Sequence, residues 1–423
     1  MQLVITGLRP LSGAVKVGGA KNAALKIMAA SLLAGGVCRL SNVPRITDVD
    51  TMVGVLRGLG ARVDQQLDGA ISIDPSYVDC SEPAEELVRE MRASIQVMGP
   101  LLARRGYARA RQPGGCNIGP RPIDLHLKGF AALGANISED HGYVCACAKK
   151  LRGAEILLDF PSVGATENIM TAACLAEGTT TIRNAAREPE IVDQQNFLNR
   201  LGARIKGAGT DTIRIQGVEN LGATDYPVIP DRIEAGTFMV AVAMTGGDAR
   251  VENVITEHVQ ALTAKLREAG AEVVEGESYV HVKGPQRLRA TSVRTLPYPG
   301  FPTDMQPQFA AAMSVARGTS VITETIFPSR FKYADELGRM GANIRVEGKV
   351  AIIEGVPALS GAEVEAPDLR GGAALILGAL AAQGTTRLSG VHHIDRGYED
   401  LPGKLAQLGA AIRRVGQAER QAG

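Results

Sequence analysis

The stretch LGARV, at residues 59–63, is the basis of the fold prediction for this chain. Apolar side chains precede it at helical spacing, at Val49, Met52 and Leu56. Its glycine, Gly60, stands where a helix needs a left-handed residue as its C-terminal cap. The residues that follow the glycine alternate as in a β-strand. The stretch therefore predicts a helix, a glycine cap and a strand.

The same pattern recurs along the whole chain. It occurs six times, with central glycines at Gly60, Gly134, Gly202, Gly270, Gly341 and Gly409. A second pattern alternates with it: a helix, a glycine turn and a β-branched strand such as TTTI at residues 179–182. Common solenoids repeat at about 20–50 residues, and the period here is longer, at roughly 70. Six helix–strand, helix–strand units predict a pseudo-symmetric α/β protein of three plus three repeats.

Composition limits the function classes. The chain has 423 residues, which predicts two or three domains. It has 46 basic and 45 acidic residues, a balance that argues against a general nucleic-acid binder. No apolar run approaches the ~18 residues of a membrane span, and no secretory signal is evident, so we expect a cytoplasmic protein. The six cysteines lack zinc-ligand spacing, which predicts free thiols and no metal.

Function is expected where one repeat differs from the others. GGAKNAALKI, at residues 18–27, places Lys21 and Asn22 at a glycine-preceded helix start, which suits an anion. The alternative is an ordinary surface lysine. Arg92 in MRASI stands before an apolar segment, and it is either an anion ligand or a solvated side chain.

The most specific departure is RQPGGCNIGPRPIDLHLKG, at residues 111–129. Cys116 follows a Pro-Gly-Gly approach and has Arg121 and Lys128 nearby in sequence, a pattern typical of a reactive thiol on a lid. The alternative is a buried inert cysteine beside a solvated basic turn. We interpret His126 as a structural histidine.

Three later motifs add charged residues at loop-to-helix junctions. In FPTDMQPQF, Asp304 is either a helix N-cap or a general base. APDLRGGAA supplies Asp368 and Arg370, and HHIDRGYED supplies Arg396, each arginine being an anion ligand or part of a surface ion pair. A reactive cysteine, a carboxylate and several cations together predict a pocket for a doubly anionic small substrate.

Read in order, GAKNAAL, PGGCNIGPRPIDLH, SVGATENIM, NAAREPEIVD, FPTDMQPQF and HIDRGYEDL resemble the enolpyruvyl transferase family, and within it the UDP-N-acetylglucosamine 1-carboxyvinyltransferases. The resemblance covers nearly the whole chain. It implies two domains, each an inside-out α/β barrel of three pseudo-symmetric repeats. The first domain would be residues 21–229, with the Cys116 lid. The second would be residues 1–20 plus 230–423, with Asp304 and Arg396.

The resemblance also implies the reaction. The enolpyruvyl group of phosphoenolpyruvate is transferred to the 3-hydroxyl of UDP-N-acetylglucosamine with release of phosphate, the first committed step of peptidoglycan synthesis. Cys116 would be the general acid and the fosfomycin target, Asp304 the base, and Lys21 a catalytic cation. The resemblance implies these substrate-binding residues: Lys21, Asn22, Arg92, Arg121, Pro122, Ile123, Asp124, Leu125, Pro161, Ser162, Val163, Gly164, Asp304, Ile326, Asp368, Arg370 and Arg396.

Two departures from the family pattern concern fine contacts. Gln96 stands where relatives often carry an aromatic residue, and Gly371 with Gly372 follows Arg370 where relatives often have small non-glycine residues. We expect a monomer with two small-molecule substrates and no cofactor, nucleic acid or membrane partner. Two alternatives stay open: an enolpyruvyl transferase acting on shikimate 3-phosphate, and a non-catalytic regulatory paralogue that binds a UDP-sugar.

Overall fold

A computed structural model describes residues 1–66, 69–82, 92–111 and 123–416. Three residues predicted from sequence to act in the site lie outside this described part: Cys116, Arg121 and Pro122. For Arg92, the structure gives the backbone, which begins a 3₁₀ helix at Arg92–Val97.

The helices of the described residues are α1 Lys21–Ala30, α2 Thr47–Gly58, α3 Met98–Arg105, α4 Asp124–Ala132, α5 Val163–Ala173, α6 Pro189–Arg200, α7 Arg232–Met244, α8 Gln260–Glu268, α9 Gln306–Met313, α10 Tyr333–Arg339, α11 Leu369–Leu380, α12 His392–Asp395 and α13 Leu401–Gln407. Short 3₁₀ helices lie at Ser31–Leu33, Pro75–Tyr77, Arg92–Val97, Thr256–Val259 and Thr303–Met305. The strands are β1 Gln2–Thr6, β2 Ser12–Lys16, β3 Cys38–Ser41, β4 Arg62–Gln65, β5 Ile71–Asp74, β6 Tyr107–Arg111, β7 Asn136–Asp140, β8 Tyr143–Cys147, β9 Glu155–Leu157, β10 Thr179–Arg183, β11 Arg204–Lys206, β12 Thr212–Gln216, β13 Asp225–Pro227, β14 Asp248–Glu252, β15 Glu272–Glu275, β16 Tyr279–Lys283, β17 Val293–Arg294, β18 Thr319–Thr323, β19 Asn343–Glu347, β20 Val350–Glu354, β21 Leu359–Ser360, β22 Glu363–Glu365, β23 Ala382–Gln383, β24 Thr385–Ser389 and β25 Ala411–Val415.

The chain divides into two compact units. The described residues between 19 and 229 form one, here the middle unit, and residues 1–18 with 230–416 form the other, here the terminal unit. Each has its own apolar core. Because the terminal unit contains both ends of the described chain, the backbone passes between the units at residues 18–19 and again at 229–230.

The predicted repeats correspond to sheets. In the middle unit the sheets run β9-β10-β12-β11, β13-β3-β5-β4 and β6-β8-β7. In the terminal unit they run β2-β14-β16-β15, β17-β18-β20-β19 and β22-β24-β1-β25, with β21-β23 as a further pair. Each repeat but the last supplies one strand after a buried helix and an antiparallel hairpin that pairs with it. The prediction of an α/β chain of three plus three repeats is confirmed.

The last repeat borrows a strand from the start of the chain. Its strand β25 has no later partner for a hairpin, and β1 takes that position, pairing antiparallel with both β24 and β25. Strand β2 likewise pairs parallel with β14. These hydrogen bonds place residues 1–18 in the terminal unit.

The glycine caps are confirmed. All six central glycines have positive φ, from 87° at Gly341 to 106° at Gly202. At Gly60 a Cβ would also approach the Tyr77 carbonyl to 2.5 Å, so this position needs glycine for space as well as for conformation.

Helices occupy the cores and the sheets cover them. Every residue of α9 is buried, as is every residue of α11 after Leu369, whereas the strands alternate buried and exposed side chains. In the terminal unit α7, α9 and α11 pack on one another. This placement of helices inside and sheets outside is the arrangement that the resemblance predicted. No helix in the described part of the chain is long and apolar enough to cross a membrane.

Candidate active site

In the middle unit, the first residue of α1 carries the predicted anion-binding cation. Lys21 follows Gly19 and Ala20, and Lys21 Nζ lies 2.7 Å from Asp48 Oδ2 in the first turn of α2. The two side chains are 11% and 5% exposed. Lys21 is therefore not an ordinary surface lysine, because a nearly buried carboxylate holds its ammonium at a helix N-terminus.

A second lysine lies about one turn further along α1. Lys26 Nζ is 2.8 Å from Glu167 Oε2, and the Glu167 side chain is completely buried in α5. Burial raises the pKa of Glu167 to about 7, although Lys26 opposes the shift. This ion pair joins α1, which presents Lys21 and Asn22, to α5, whose first two residues belong to the predicted nucleotide-sugar segment.

That segment, residues 161–164, forms the start of α5. The Ser162 hydroxyl caps the helix by accepting a hydrogen bond from the Ala165 N–H. The Gly164 carbonyl accepts a bond of 3.1 Å from Gln96 Nε2, and a Cβ on Gly164 would lie 3.3 Å from the His126 ring. The unusual Gln96 therefore ties the Arg92–Val97 turn to this segment.

His126 is a structural histidine, as predicted. It is 6% exposed, and its Nδ1 lies 3.0 Å from Asn168 Nδ2. Burial, with a contribution from Lys26, lowers its pKa to about 4. Neutral His126 thus fixes α4, which begins at Asp124 and carries Leu125, against α5.

In the terminal unit, Asp304 is held by two arginines. Its Oδ1 accepts a hydrogen bond of 2.7 Å from Arg330 Nη2, and its Oδ2 accepts bonds of 3.1 and 3.2 Å from Arg370 Nη2 and Nε. Both arginine side chains are 3% exposed, whereas Asp304 is 25% exposed. The carboxylate is thus fixed in orientation and still accessible.

Two sequence interpretations are wrong here. Asp304 does not cap a helix; it lies in the middle of the 3₁₀ turn Thr303–Met305, and its carboxylate faces arginines. Asp368 and Arg370 are not a surface ion pair. The Asp368 carboxylate caps α11 through the N–H groups of Arg370 and Gly371, while the Arg370 side chain is buried against Asp304. Sequence spacing could not foresee this, because Asp304 and Arg370 are 66 residues apart.

The glycines after Arg370 have a packing role. A Cβ on Gly372 would lie 2.7 Å from Ile394 Cγ1, and one on Gly371 would lie 2.9 Å from Pro367 Cγ. Ile394 belongs to α12, the short helix that ends just before Arg396. The two glycines therefore let α11 approach the segment that carries Arg396, which is partly buried.

Ile326 lies on a partly buried loop after β18, and its N–H donates a hydrogen bond of 2.7 Å to Glu324 Oε1. The site residues fall into two groups. Lys21, Asn22, Arg92, Ile123, Asp124, Leu125 and residues 161–164 belong to the middle unit, and Asp304, Ile326, Asp368, Arg370 and Arg396 to the terminal unit.

Sequence reasoning missed the partners of these residues. Asp48, Glu167, Glu324 and Arg330 are buried charged side chains in contact with predicted site residues or their neighbours. Glu167 gave one usable signal, because it is the only charged residue of α5, VGATENIMTAA. In the described residues no group of three or more His, Cys, Asp or Glu side chains has the arrangement of a metal site.

Comparison with known proteins adds the family. The model of the EPSP synthase family (3-phosphoshikimate 1-carboxyvinyltransferase) matches residues 5–405. This chain belongs to the enolpyruvyl transferase family. It is 58% identical over 417 residues to UDP-N-acetylglucosamine 1-carboxyvinyltransferase 1 of Symbiobacterium thermophilum, covering 97% of this chain and 95% of the relative. A protein named UDP-N-acetylglucosamine 1-carboxyvinyltransferase from Geobacter metallireducens is 54% identical, with 98% and 99% covered.

Solved structures agree on the fold. The enolpyruvyl transferase NikO from Streptomyces tendae matches with a TM-score of 0.88 and 29% identity, over 97% of this chain and 98% of NikO. EPSP synthase from Acinetobacter baumannii matches with a TM-score of 0.77 and 20% identity, over 98% and 99%. The predicted enolpyruvyl transferase fold is confirmed.

Proposed function

We propose that this enolpyruvyl transferase moves the enolpyruvyl group of phosphoenolpyruvate to the 3-hydroxyl of UDP-N-acetylglucosamine and releases phosphate. One observation carries the substrate assignment: identity of 52–58% over at least 97% of the chain with relatives named for this reaction. The solved EPSP synthase is only 20% identical. The nucleotide-sugar acceptor is therefore better supported than shikimate 3-phosphate.

The charges of the site suit these two substrates. Phosphoenolpyruvate carries a carboxylate and a phosphate, and we assign Lys21, Arg121 and Arg396 to them, with Asn22 alongside. We assign the nucleotide-sugar to Arg92, residues 121–125, residues 161–164, Asp304 and Ile326, and place Asp368 and Arg370 beside it. Fixed cations of this kind stabilise negative charge that develops during the reaction.

The proposed chemistry is an addition followed by an elimination. Cys116 gives a proton to the methylene carbon of phosphoenolpyruvate, the sugar oxygen bonds to the neighbouring carbon, and Asp304 takes the hydroxyl proton. The methyl group of this adduct then returns a proton to the Cys116 thiolate, the carbon–oxygen bond to phosphate breaks, and the double bond forms again. The proton held by Asp304 leaves with the released phosphate. Arg330 and Arg370 fix the Asp304 carboxylate for its step, which supports its assignment as the base.

The first test is phosphate release by the purified protein with phosphoenolpyruvate and UDP-N-acetylglucosamine, together and separately. Release that requires both substrates supports the proposal. Release with shikimate 3-phosphate in place of the nucleotide-sugar would support the other transferase. Tight nucleotide-sugar binding in calorimetry with no release would support a regulatory paralogue. We further infer, from the resemblance alone, a cytoplasmic monomer that needs no cofactor.

Replacing the lid cysteine tests its role. Cys116→Ser should lower turnover by about two to four powers of ten, because a general acid contributes about that much. Cys174→Ser is the control, since burial raises the pKa of that thiol to about 12 and makes it inert. Fosfomycin with the nucleotide-sugar should add one inhibitor mass to the wild type and none to Cys116→Ser. A near-normal rate for Cys116→Ser would reject the general-acid role.

A further inference from the structure

Glu324 is a buried carboxylate directly after strand β18. Its hydrogen bonds link it to Ile326 and, through Thr303 and Arg330, to Asp304. Glu324 is 0% exposed. Its Oε1 accepts hydrogen bonds from the Thr295 hydroxyl at 2.8 Å, the Ile326 N–H at 2.7 Å and the Phe327 N–H at 3.0 Å. Its Oε2 accepts one from the Thr303 hydroxyl at 2.9 Å. Among the described residues this carboxylate takes four hydrogen bonds and contacts no cation, so it is an acceptor placed to organise donors.

The Thr303 hydroxyl connects Glu324 to Asp304. Arg330 Nη1 lies 2.9 Å from Thr303 Oγ1, and Arg330 Nη2 lies 2.7 Å from Asp304 Oδ1. An ionised Glu324 can only accept, so Thr303 must donate its proton to Glu324. The hydroxyl oxygen then presents a lone pair to Arg330, whose guanidinium group can only donate. The direction of every hydrogen bond from Glu324 to Asp304 is thereby fixed.

We propose that Glu324 is a positioning residue for the reaction: through Thr303 and Arg330 it sets the orientation of the Asp304 carboxylate, and through the Ile326 N–H it sets the loop assigned to the nucleotide-sugar. This inference rests on the proposed function, because it assigns Glu324 a task only if Asp304 acts on the sugar. Ile326 contacts this carboxylate directly, and Asp304 is linked to it through Thr303 and Arg330.

The charge of Glu324, and not only its shape, is needed. In Glu324→Gln the amide oxygen can still accept from Thr295 and the two backbone N–H groups. The amide NH₂ then faces Thr303, whose oxygen would meet two donors while its own proton has no acceptor. The expected result is a turned Thr303 hydroxyl, a displaced Arg330 and a misdirected Asp304. Displacement by about 1 Å at a reacting group costs up to about a hundredfold in rate.

The experiment compares Glu324→Gln with Ser320→Ala. Ser320 is also 0% exposed and accepts a buried hydrogen bond from the Thr291 N–H at 3.1 Å, and Thr291 is not one of the site residues. We expect Glu324→Gln to lower kcat by about ten- to a hundredfold and to raise the KM for UDP-N-acetylglucosamine, with the KM for phosphoenolpyruvate within about twofold. Both variants should lower the melting temperature by a similar amount. Ser320→Ala should leave kcat and the KM values for both substrates near wild type.

A double-variant cycle separates positioning from general support. In an Asp304→Asn background, Glu324→Gln should cause no further fall in single-turnover rate, because the group that it positions is already lost. An equal fall in both backgrounds would overturn the inference, and so would a Glu324→Gln enzyme with wild-type kinetics. If the wild type released no phosphate, the proposed function would fail first, and the two results are thus distinguishable.

A second pair of variants covers the case in which Glu324→Gln does not fold. Thr303→Val removes the connecting hydroxyl from a partly buried position, and Thr303→Ser restores it. We expect the valine variant to lose ten- to a hundredfold in kcat and the serine variant to stay within about threefold of wild type. Equal activity of the two variants would overturn the inference.

Discussion

The ion pairs that α1 makes in the middle unit and those that Asp304 makes in the terminal unit have opposite exposure. In the middle unit the carboxylates of Asp48 and Glu167 are 5% and 0% exposed, and the lysines paired with them are 11% and 13% exposed. In the terminal unit the arginines paired with Asp304 are 3% exposed, and Asp304 is the accessible partner. The α1 pairs therefore leave a cation accessible, and the Asp304 pairs leave a carboxylate accessible.

The choice of cation follows from this difference. An arginine has a planar fork that fixes a carboxylate by two or more directed hydrogen bonds, so two buried arginines determine how Asp304 is oriented. A lysine is a point charge on a flexible stem, which suits an anion that changes shape during a reaction. In the Lys21–Asp48 pair and in the Asp304 pairs, the buried member supports the more exposed member, which is the one assigned to a substrate.

The largest effect is expected from removing Arg370, one of the two buried arginines that pair with Asp304 in the terminal unit. Arg370→Met should cost about 3 kcal/mol in the free energy of unfolding, because it leaves a carboxylate without one of two buried partners. Turnover should fall by at least a hundredfold, since Asp304 loses both hydrogen bonds from Arg370. Chemical denaturation and phosphate release measure the two effects.

The control for Arg370→Met is Arg339→Met. Arg339 is also in a helix and also contacts a glutamate, Glu336, but its side chain is 65% exposed. Its loss should change stability by no more than about 0.5 kcal/mol. If the two variants unfold at the same denaturant concentration, burial does not distinguish supporting from exposed arginines.

A pH series tests how Glu167, the buried carboxylate paired with Lys26 in the middle unit, affects stability. The pKa of Glu167 rises from 4.5 to about 7 on folding, so the folded state binds more protons between these values. Stability therefore falls as pH rises through about 7. Glu167→Gln should remove this fall, and the difference between variant and wild type should grow by about 3 kcal/mol from pH 4 to 8.

Denaturation at each pH measures this difference directly. His126 and Asp193 also titrate with shifted pKa values, but they are present in both proteins and cancel in the comparison. The exposed Glu219→Gln serves as the control and should run parallel to wild type at all pH values. A parallel curve for Glu167→Gln would show that Glu167 stays ionised beside Lys26.

The smallest effect is expected from changing Asp48, the carboxylate paired with Lys21, which is the residue assigned to bind phosphoenolpyruvate. Asp48→Asn should raise the KM for phosphoenolpyruvate about tenfold, equivalent to about 1.4 kcal/mol, because Lys21 loses the charge that holds it. Asp50→Asn is the matched control, two residues later in α2 and exposed. Equal KM values for the two variants would show that Lys21 needs no support from Asp48.

Local signals in the sequence accounted for much of the fold. The spacing of Val49, Met52 and Leu56 predicted α2, and the glycine after each such helix predicted a cap that the φ angles confirm. The borrowed strand β1 was harder, because it completes a sheet with β25, more than 400 residues later, and no local pattern encodes that pairing.

The repeat, its period, the family and the residue types of the site were all predicted from the amino-acid sequence alone. These are properties of short stretches, because helix caps, strand alternation and motifs each depend on a few neighbouring residues. Three features became visible only in the folded structure. Asp304 faces two arginines instead of capping a helix, Lys21 forms an ion pair with Asp48, and Glu324 accepts a hydrogen bond from Thr303. Burial and ion pairing join residues distant in sequence, and their energies depend on exposure that no local spacing specifies.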